Sequence, residues 1–380
     1  MTNSGRMIKS VNSVESRVRV FNNVPRIKVA AIKTPGINKS QQSGVALITA
    51  VLIVSLVTVA AAAMAARQLL DMRRTENTLH AEQAYVYALA AEEFAKQVLA
   101  QDNDKKVDFE SKPDSLLVES WSHPLPPIPV PGGSIQGSIK DATASFPVNN
   151  VVDSGGQKRE PYRKALQRLI DNVLSDSFSP DLANAILDWV DPDQNVSAGG
   201  AEDNDYLRLK VPYRAANHPI ESVSELRLVN GLQADDYAKL VPRDGRPPFV
   251  NALPIDTPIN INTASKEVIM SLSDKIDAQM ADTILKERDE AIKNDKAPYT
   301  DVNKFKEEIK DDIYGANPTD PRVKMEKNKF EFDASLLSVN SQYFEVTAIA
   351  NIGRSEVQLH SLLKRDGNTV TTLRRGIGVY

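Results

Sequence analysis

Apolar and polar positions divide the chain into regimes with different periods. From Val45 to Ala66 the sequence VALITAVLIVSLVTVAAAAMAA carries no charge over 22 residues. As a helix that run is about 33 Å long, enough for the hydrocarbon core of a bilayer. Arg67, Asp71, Arg73 and Arg74 close it. Ahead of it, Arg6, Lys9, Arg17, Arg19, Arg26, Lys28, Lys33 and Lys39 face a single acid, Glu15. A basic flank of this kind predicts a cytoplasmic N-terminus and an exported remainder. Beyond Arg67 the apolar residues become periodic: Leu69, Leu70, Met72, Leu79, Ala84, Val86, Leu89, Ala90, Phe94 and Val98, with polar residues between them and no Gly or Pro through Gln101. The spacing predicts one amphipathic helix that follows the apolar run without a break.

The pattern then changes. SHPLPPIPVPGG sets Pro124, Pro126, Pro127, Pro129 and Pro131 ahead of two glycines and reads as a loop or extended connector. Ile135 and Ile139, then Phe146 and Val148, suggest a strand followed by a loop. Near the C-terminus FEVTAIANI, EVQLHSLLKR and TVTTLRRGIG read as three strands, with turns at Gly353 and at Asp366-Gly367-Asn368. Between these strand regions the period is helical. EPYRKALQRLIDNVL, SPDLANAILDWV, SVSELRLV, ADDYAKLV, SKEVIMSL, IDAQMADTILKERDEAIKN and DVNKFKEEI are candidate helices, with cap signals at Ser179-Pro180, Ser265, Asp277 and Asp301. The expected class is α+β: a long N-terminal helix and a small antiparallel sheet interrupted by a large all-helical insertion. The expected segments are a basic leader, 1–44; the apolar part of the helix, 45–66; an α/β domain, 67–155 and 330–380; and the inserted helical domain, 156–329.

Composition narrows the chemistry. The 46 Lys+Arg and 50 Asp+Glu leave a net charge of −4, which argues against a protein that coats nucleic acid. With no cysteine, thiol catalysis, zinc fingers and disulfide frameworks are all excluded. Histidines occur only at 80, 123, 218 and 360. No G-x-S-x-G, phosphate-cradling Gly-rich loop or H-E-x-x-H occurs, so no enzymatic activity is expected.

One acidic stretch has ligand spacing. Counting from Asp191, oxygen side chains fall at the first, third, fifth and twelfth positions: Asp191, Asp193, Asn195 and Glu202. This is the pattern of a calcium-binding helical loop, in which hard oxygen donors surround the ion and the last glutamate is bidentate. Asp203 is a further candidate ligand, and the Ser197 carbonyl another. The sixth position is Val196 instead of glycine and no clear helix follows Glu202, so the loop departs from the standard geometry. Oxygen-only ligands select calcium over zinc or copper. The alternative is a solvated acidic loop.

A second stretch, INTASKEVIMSLSDKIDAQMADTILKERDE, resembles the helix-hairpin-helix (SAM-like) module of DNA-binding competence proteins, with a weaker copy in SVSELRLVNGLQADDYAKLV. Its hairpin, Ser273 to Asp277, has no glycine to let backbone amides approach a phosphate. Residues 251–312 hold nine basic and fourteen acidic residues, so nucleic acid is an unexpected partner.

Two readings of the N-terminus remain. AAAMAARQ contains the small-x-small pattern of a secretory cleavage site, which would leave a soluble mature protein. Cleavage between Gly44 and Val45 instead resembles that of a type IV prepilin, a basic leader ending in glycine before an apolar run that continues as a helix. The unbroken helical period favours the second. Pilins usually carry glutamate at the fifth mature position, where this chain has Thr49. That absence, the large helical insertion, and the segments DWVDPDQ, GGAED, PYRAAN and SVSELRLVNG together resemble the general secretion pathway protein K family, the large minor pseudopilins of type II secretion. The resemblance covers nearly the whole chain after the leader. It implies a pilin-like head and a non-enzymatic subunit capping the tip of the periplasmic pseudopilus, aiding its assembly for export of folded proteins across the outer membrane. It implies inner-membrane insertion as a single pass, cleavage and methylation by a prepilin peptidase, I- and J-type minor pseudopilins and the major pseudopilin as partners, and calcium near Asp191. A membrane-anchored DNA receptor of the competence type is the alternative.

Overall fold

In the computed structural model, residues 43–102, 107–111, 119–174, 181–242, 246–294, 296–329 and 334–378 are described. Most of the expected leader, and the cap at Ser179-Pro180, lie outside them. The chain divides into two compact units, residues 1–69 and 70–380. Helix α1, Ser43–Gln101, is one helix of 59 residues, as the absence of Gly and Pro beyond Gly44 requires. From residue 44 to residue 69 it is exposed, and it is long and apolar enough to cross a membrane. The hydroxyls of Thr49, Ser55 and Thr58 are satisfied within the helix. Thr49 Oγ1 donates to the Val45 and Ala46 carbonyls, Ser55 Oγ to Leu52, and Thr58 Oγ1 to Val54. A donor in so apolar a helix is thereby spared the cost of going unpaired.

In the second unit α1 presents a seam of small residues, Ala84, Ala88, Ala91 and Ala95, ending at Leu99, all buried. The surface beneath is an antiparallel sheet. Its first two strands are β1, Leu125–Val130, and β2, Gly133–Asp141. Two short parallel pairs follow: β3, Phe146–Pro147, with β4, Val250–Asn251, and β5, Ile259–Asn260, with β6, Leu337–Ser338. The sheet resumes with β7, Tyr343–Ile352, β8, Ser355–Asp366, and β9, Thr369–Ile377, in the order β1-β2-β7-β8-β9. Alternation along β7 turns Phe344, Val346, Ala348, Ala350 and Ile352 inward, where alanines on both sides let helix and sheet approach closely. Trp121 closes one end of this core, edge-on to Phe344 at 5.3 Å.

The proline-rich segment is a correction to the expected connector: its middle half, Leu125–Val130, is strand β1. Its residues hold the sheet edge, where a missing N–H costs no ladder bond on the open side, and Pro126 and Pro127 sit in the register shift between Leu125 and Ile128. The three C-terminal strands and both turns lie where the pattern places them.

The insertion contains α2, Glu160–Val173; α3, Leu182–Val190; α4, Asp203–Tyr206; α5, Ala234–Leu240; α6, Lys266–Ser271; α7, Ala278–Lys293; α8, Val302–Tyr314; and α9, Pro321–Lys329. Each cap side chain accepts from the helix it opens: Ser265 from Val268 N, Asp277 from Met280 N, and Asp301 from Asn303 N and Lys304 N. SVSELRLV forms a 3₁₀ helix, Val223–Leu228, rather than an α-helix, its i→i+3 bonds running from Glu225 N to Ser222 O and from Val229 N to Leu226 O. The helical core, built on Leu166, Leu169, Ile170, Ile186, Val268 and Ile269, also takes in Phe146, Val148, Val151 and Val152, which precede residue 156.

Buried polar networks join the insertion to the sheet. Asp141, at the end of β2, accepts at Oδ1 from Thr143 and at Oδ2 from Asn260 Nδ2 at 3.1 Å, Thr263 Oγ1 at 2.5 Å and Ser341 Oγ at 2.6 Å. Arg365, on β8, reaches Asp108 at 2.5 Å and lies 3.6 Å from Asp102 at the end of α1. Glu92 anchors α1 to the far strands. Arg375 donates to it from Nε at 2.7 Å and NH2 at 2.8 Å, Ser361 and Thr372 each from Oγ at 2.6 Å, and Lys96 is paired at 3.2 Å. Burial works to raise the Glu92 pKa, but the bonds from Arg375, Ser361, Thr372 and Lys96 outweigh it and hold it at about 2.

Candidate metal centre

Helix α3 is buried over most of its length, and its C-terminal turn carries Asp188 inward beside Trp189. Trp189 stacks edge-on to Tyr206 at 5.2 Å and Tyr213 at 6.2 Å, so an aromatic cluster fixes where α3 stops and the acidic loop begins. The loop leaves through Asp191 and returns at Glu202, directly ahead of α4. Two glycines permit its close return. Gly199 lies at φ +73, where an added Cβ would overlap the Asp181 side chain, and a Cβ on Gly200 would overlap the Asp188 carboxylate.

Carboxylate oxygens of Asp191, Asp193 and Glu202 lie within 4.8 Å of one another. Asp191 and Glu202 are buried, whereas Asp193 reaches toward solvent. Asp188 joins them from α3, fully buried, with Oδ2 accepting from Ser197 N at 2.9 Å. Neither oxygen of Glu202 or of Asp191, nor Oδ1 of Asp188, has a hydrogen-bond partner. Among the described residues the cation paired with the cluster is Lys158, whose Nζ is 3.1 Å from Asp191 Oδ2 and 3.7 Å from Asp188 Oδ1. Burial, and then the charges of Asp188, Asp191, Asp193 and Asp203, push the Glu202 pKa up to about 7. Burial likewise raises Asp191, against the pull of Lys158. A buried carboxylate with no donor is costly, and two of them, Asp191 and Glu202, beside the half-satisfied Asp188 form a site suited to a positive charge.

Three of the five candidate ligands therefore meet. Asp203 does not aim into the cluster: its Oδ2 accepts from Arg214 at 2.7 Å and its Oδ1 from Ala215 N at 3.0 Å. Asn195 is exposed, and its backbone amide donates to Asp193 Oδ1 at 2.7 Å. The Ser197 carbonyl accepts from Gly200 N. Sequence spacing passes over Asp188 as a ligand, although it lies one helical turn before Asp191, a position that places both on one face. Lys158 is missed because it comes from another element, through a bridge between Val152 and Lys158. A helix does follow Glu202, the single turn α4, too short to show a period.

The other candidates are placed as follows. Gly44 and Val45 lie in the first turn of α1, both exposed, and Thr49 one turn on. The hairpin-like stretch forms α6, a turn and α7; Asp277 caps α7, Ile276 is buried in the turn, and Arg168 of α2 donates to the Ser271 and Leu272 carbonyls.

Family models described as type II secretion system protein K match residues 144–254 and 259–310. Type II secretion system protein K of Pseudomonas aeruginosa is 37% identical over 249 residues, covering 65% of this chain and 72% of the relative. Its counterpart from Pectobacterium carotovorum is 30% identical over 354 residues, 90% of this chain and 98% of the relative. The chain belongs to the type II secretion system protein K family. Its fold resembles a chain in the crystal structure of the GspK–GspI–GspJ complex of enterotoxigenic Escherichia coli, with a TM-score of 0.61 and 25% identity over 80% of this chain and 99% of that one. Like its family, it is a minor pseudopilin of the type II secretion system, a subunit of protein-export machinery.

Proposed function

We propose that this pseudopilin caps the tip of the periplasmic pseudopilus and promotes its assembly with I- and J-type minor pseudopilins beneath it. The observation that carries this reading is the likeness along 99% of a chain crystallised as GspK–GspI–GspJ. Thr49 supports it. A glutamate in lipid needs a partner group from a neighbouring subunit. A threonine whose hydroxyl bonds to Val45 and Ala46 of its own helix needs none. In this reading a prepilin peptidase cuts between Gly44 and Val45 and methylates the new amine. The apolar part of α1 holds the subunit in the inner membrane, the rest in the periplasm, until it joins the fibre above the major pseudopilin. N-terminal sequencing of the mature protein is expected to begin at a methylated Val45, and the full chain to co-purify with the I and J subunits. A start near Arg67 would remove the membrane helix and the proposal with it.

The acidic cluster holds calcium in this proposal, through Asp191, Asp193 and Glu202 with Asp188. The fit rests on buried carboxylate oxygens without donors and on an all-oxygen set, which suits a hard divalent cation. An extracytoplasmic site of this class has a dissociation constant of about 0.1–1 mM, so it would fill only after export.

A further inference from the structure

Lys158 reaches the carboxylate cluster from the segment before α2. Its ammonium touches Asp191 and Asp188 and donates to Ser197 Oγ at 2.9 Å, while Ser197 N donates to Asp188. One side chain thus spans both walls of the acidic loop. Among the described residues no other Lys or Arg forms an ion pair with Asp188, Asp191, Asp193 or Glu202. The Lys158 side chain is 38% exposed, whereas Asp188 and Asp191 are fully buried.

We propose that Lys158 is a built-in counterion that stands in part of the metal's position and must leave it for calcium to bind. This inference rests on the calcium reading above. An ammonium 3.1 Å from Asp191 Oδ2 occupies one of the two oxygens that Asp191 can offer a metal. A divalent ion on the same carboxylate would meet it at close range with like charge. The four-carbon stem and partial exposure give the ammonium a route to solvent; the carboxylates have none. Binding is then an exchange of one tethered positive charge for two from solution. The tether does two things. It keeps the loop from opening under its own repulsion where calcium is scarce, and it lowers calcium affinity, so that the ion is taken up only where it is abundant.

The test uses the full chain in detergent micelles, titrated calorimetrically with calcium chloride and melted in chelator. Lys158→Met removes the charge; Lys158→Gln also removes it but retains a donor for Ser197, so folding of either variant suffices. Both are expected to bind calcium at least tenfold more tightly than wild type, equivalent to about 1.4 kcal/mol, and to melt at a lower temperature in chelator. Lys158→Arg is expected to stay within about threefold of wild type, a difference below 1 kcal/mol. A lysine with only a structural role would give weaker binding when removed. If wild type binds and the neutral variants bind equally or more weakly, this inference falls and the calcium site stands. If neither wild type nor variants bind, both fall.

Discussion

Glu92 and Glu202 are both shut away from solvent, at 0% and 1% exposure, yet the molecule treats them in opposite ways. Glu92 is met by a guanidinium, an ammonium and two hydroxyls, so its charge is favoured and its pKa sits at about 2. Glu202 is met by other carboxylates and no donor, and its pKa rises to about 7. Burial is common to both. What differs is whether the surroundings supply the opposite charge from the chain itself. The α1–β8–β9 joint closes with its charges paired; in the α3–α4 loop Lys158 reaches Asp191 and Asp188 but forms no ion pair with Glu202.

The largest expected effect comes from breaking the finished joint. Glu92→Ala should lower stability by about 2–3 kcal/mol, below the full cost of orphaning a buried charge because Arg375 can turn to water. Denaturant titration of the full chain in micelles would show it, equally with and without calcium. The same residue sets an acid limit. Its folded pKa lies below the ordinary 4.5, so its contribution is complete above that value and fades as pH falls toward about 2. Wild type and Glu92→Gln should therefore converge in melting temperature across that window. Curves that stay parallel would mean that shape, not charge, holds the joint.

The next effect belongs to the unfinished loop. Several millimolar calcium should stabilise the wild type by about 1–2 kcal/mol through mass action on the folded state. The Asp193→Ala, Glu202→Ala double variant should lose that rise while keeping its helical circular dichroism. Glu202→Gln in chelator should melt above wild type, because it deletes a repelling charge that has no partner. A fall instead would show that Glu202 is already compensated and would erase the contrast with Glu92.

The smallest effect sharpens the boundary of the site. Asp203→Asn should cost less than about 1 kcal/mol, the range of a solvent-exposed pair, since Arg214 is largely exposed. It should leave the calcium-dependent rise intact. Loss of that rise would return Asp203 to the ligand set.

Legibility in the sequence followed the range of the interaction. Helices α2, α3 and α5–α8 and hairpin strands β7–β9 declare themselves because caps, turns and periods are local properties. Asp191, Asp193 and Glu202 could be read because one loop carries all three. β1 could not, since prolines at a sheet edge look like prolines in a connector until the neighbouring strand is known. α9 shows little apolar period because most of its residues are exposed. Three of the partners of Glu92 (Ser361, Thr372 and Arg375) lie on strands more than two hundred residues away, and Lys158 comes from another element than the loop it reaches. Nothing in a linear pattern links such residues.

The pairing of β2 with β7 has a consequence for how the chain reaches its native state. Asp141 lies opposite Phe344, so the central pair of the sheet closes a loop of about 200 residues, a slow search with a large entropic toll for an unstructured chain. The folded insertion shortens that search, because the segments that flank it already meet: Thr143 Oγ1 donates to Ser341 Oγ at 3.1 Å, and Asn260 bonds to both Asp141 and Ser341. Once the helices have condensed, β2 and β7 emerge side by side like the arms of an ordinary hairpin. Pulse-labelled amide exchange during refolding should accordingly find α2 and α6 protected before β7. The insertion would then also act as the clasp that lets the sheet form.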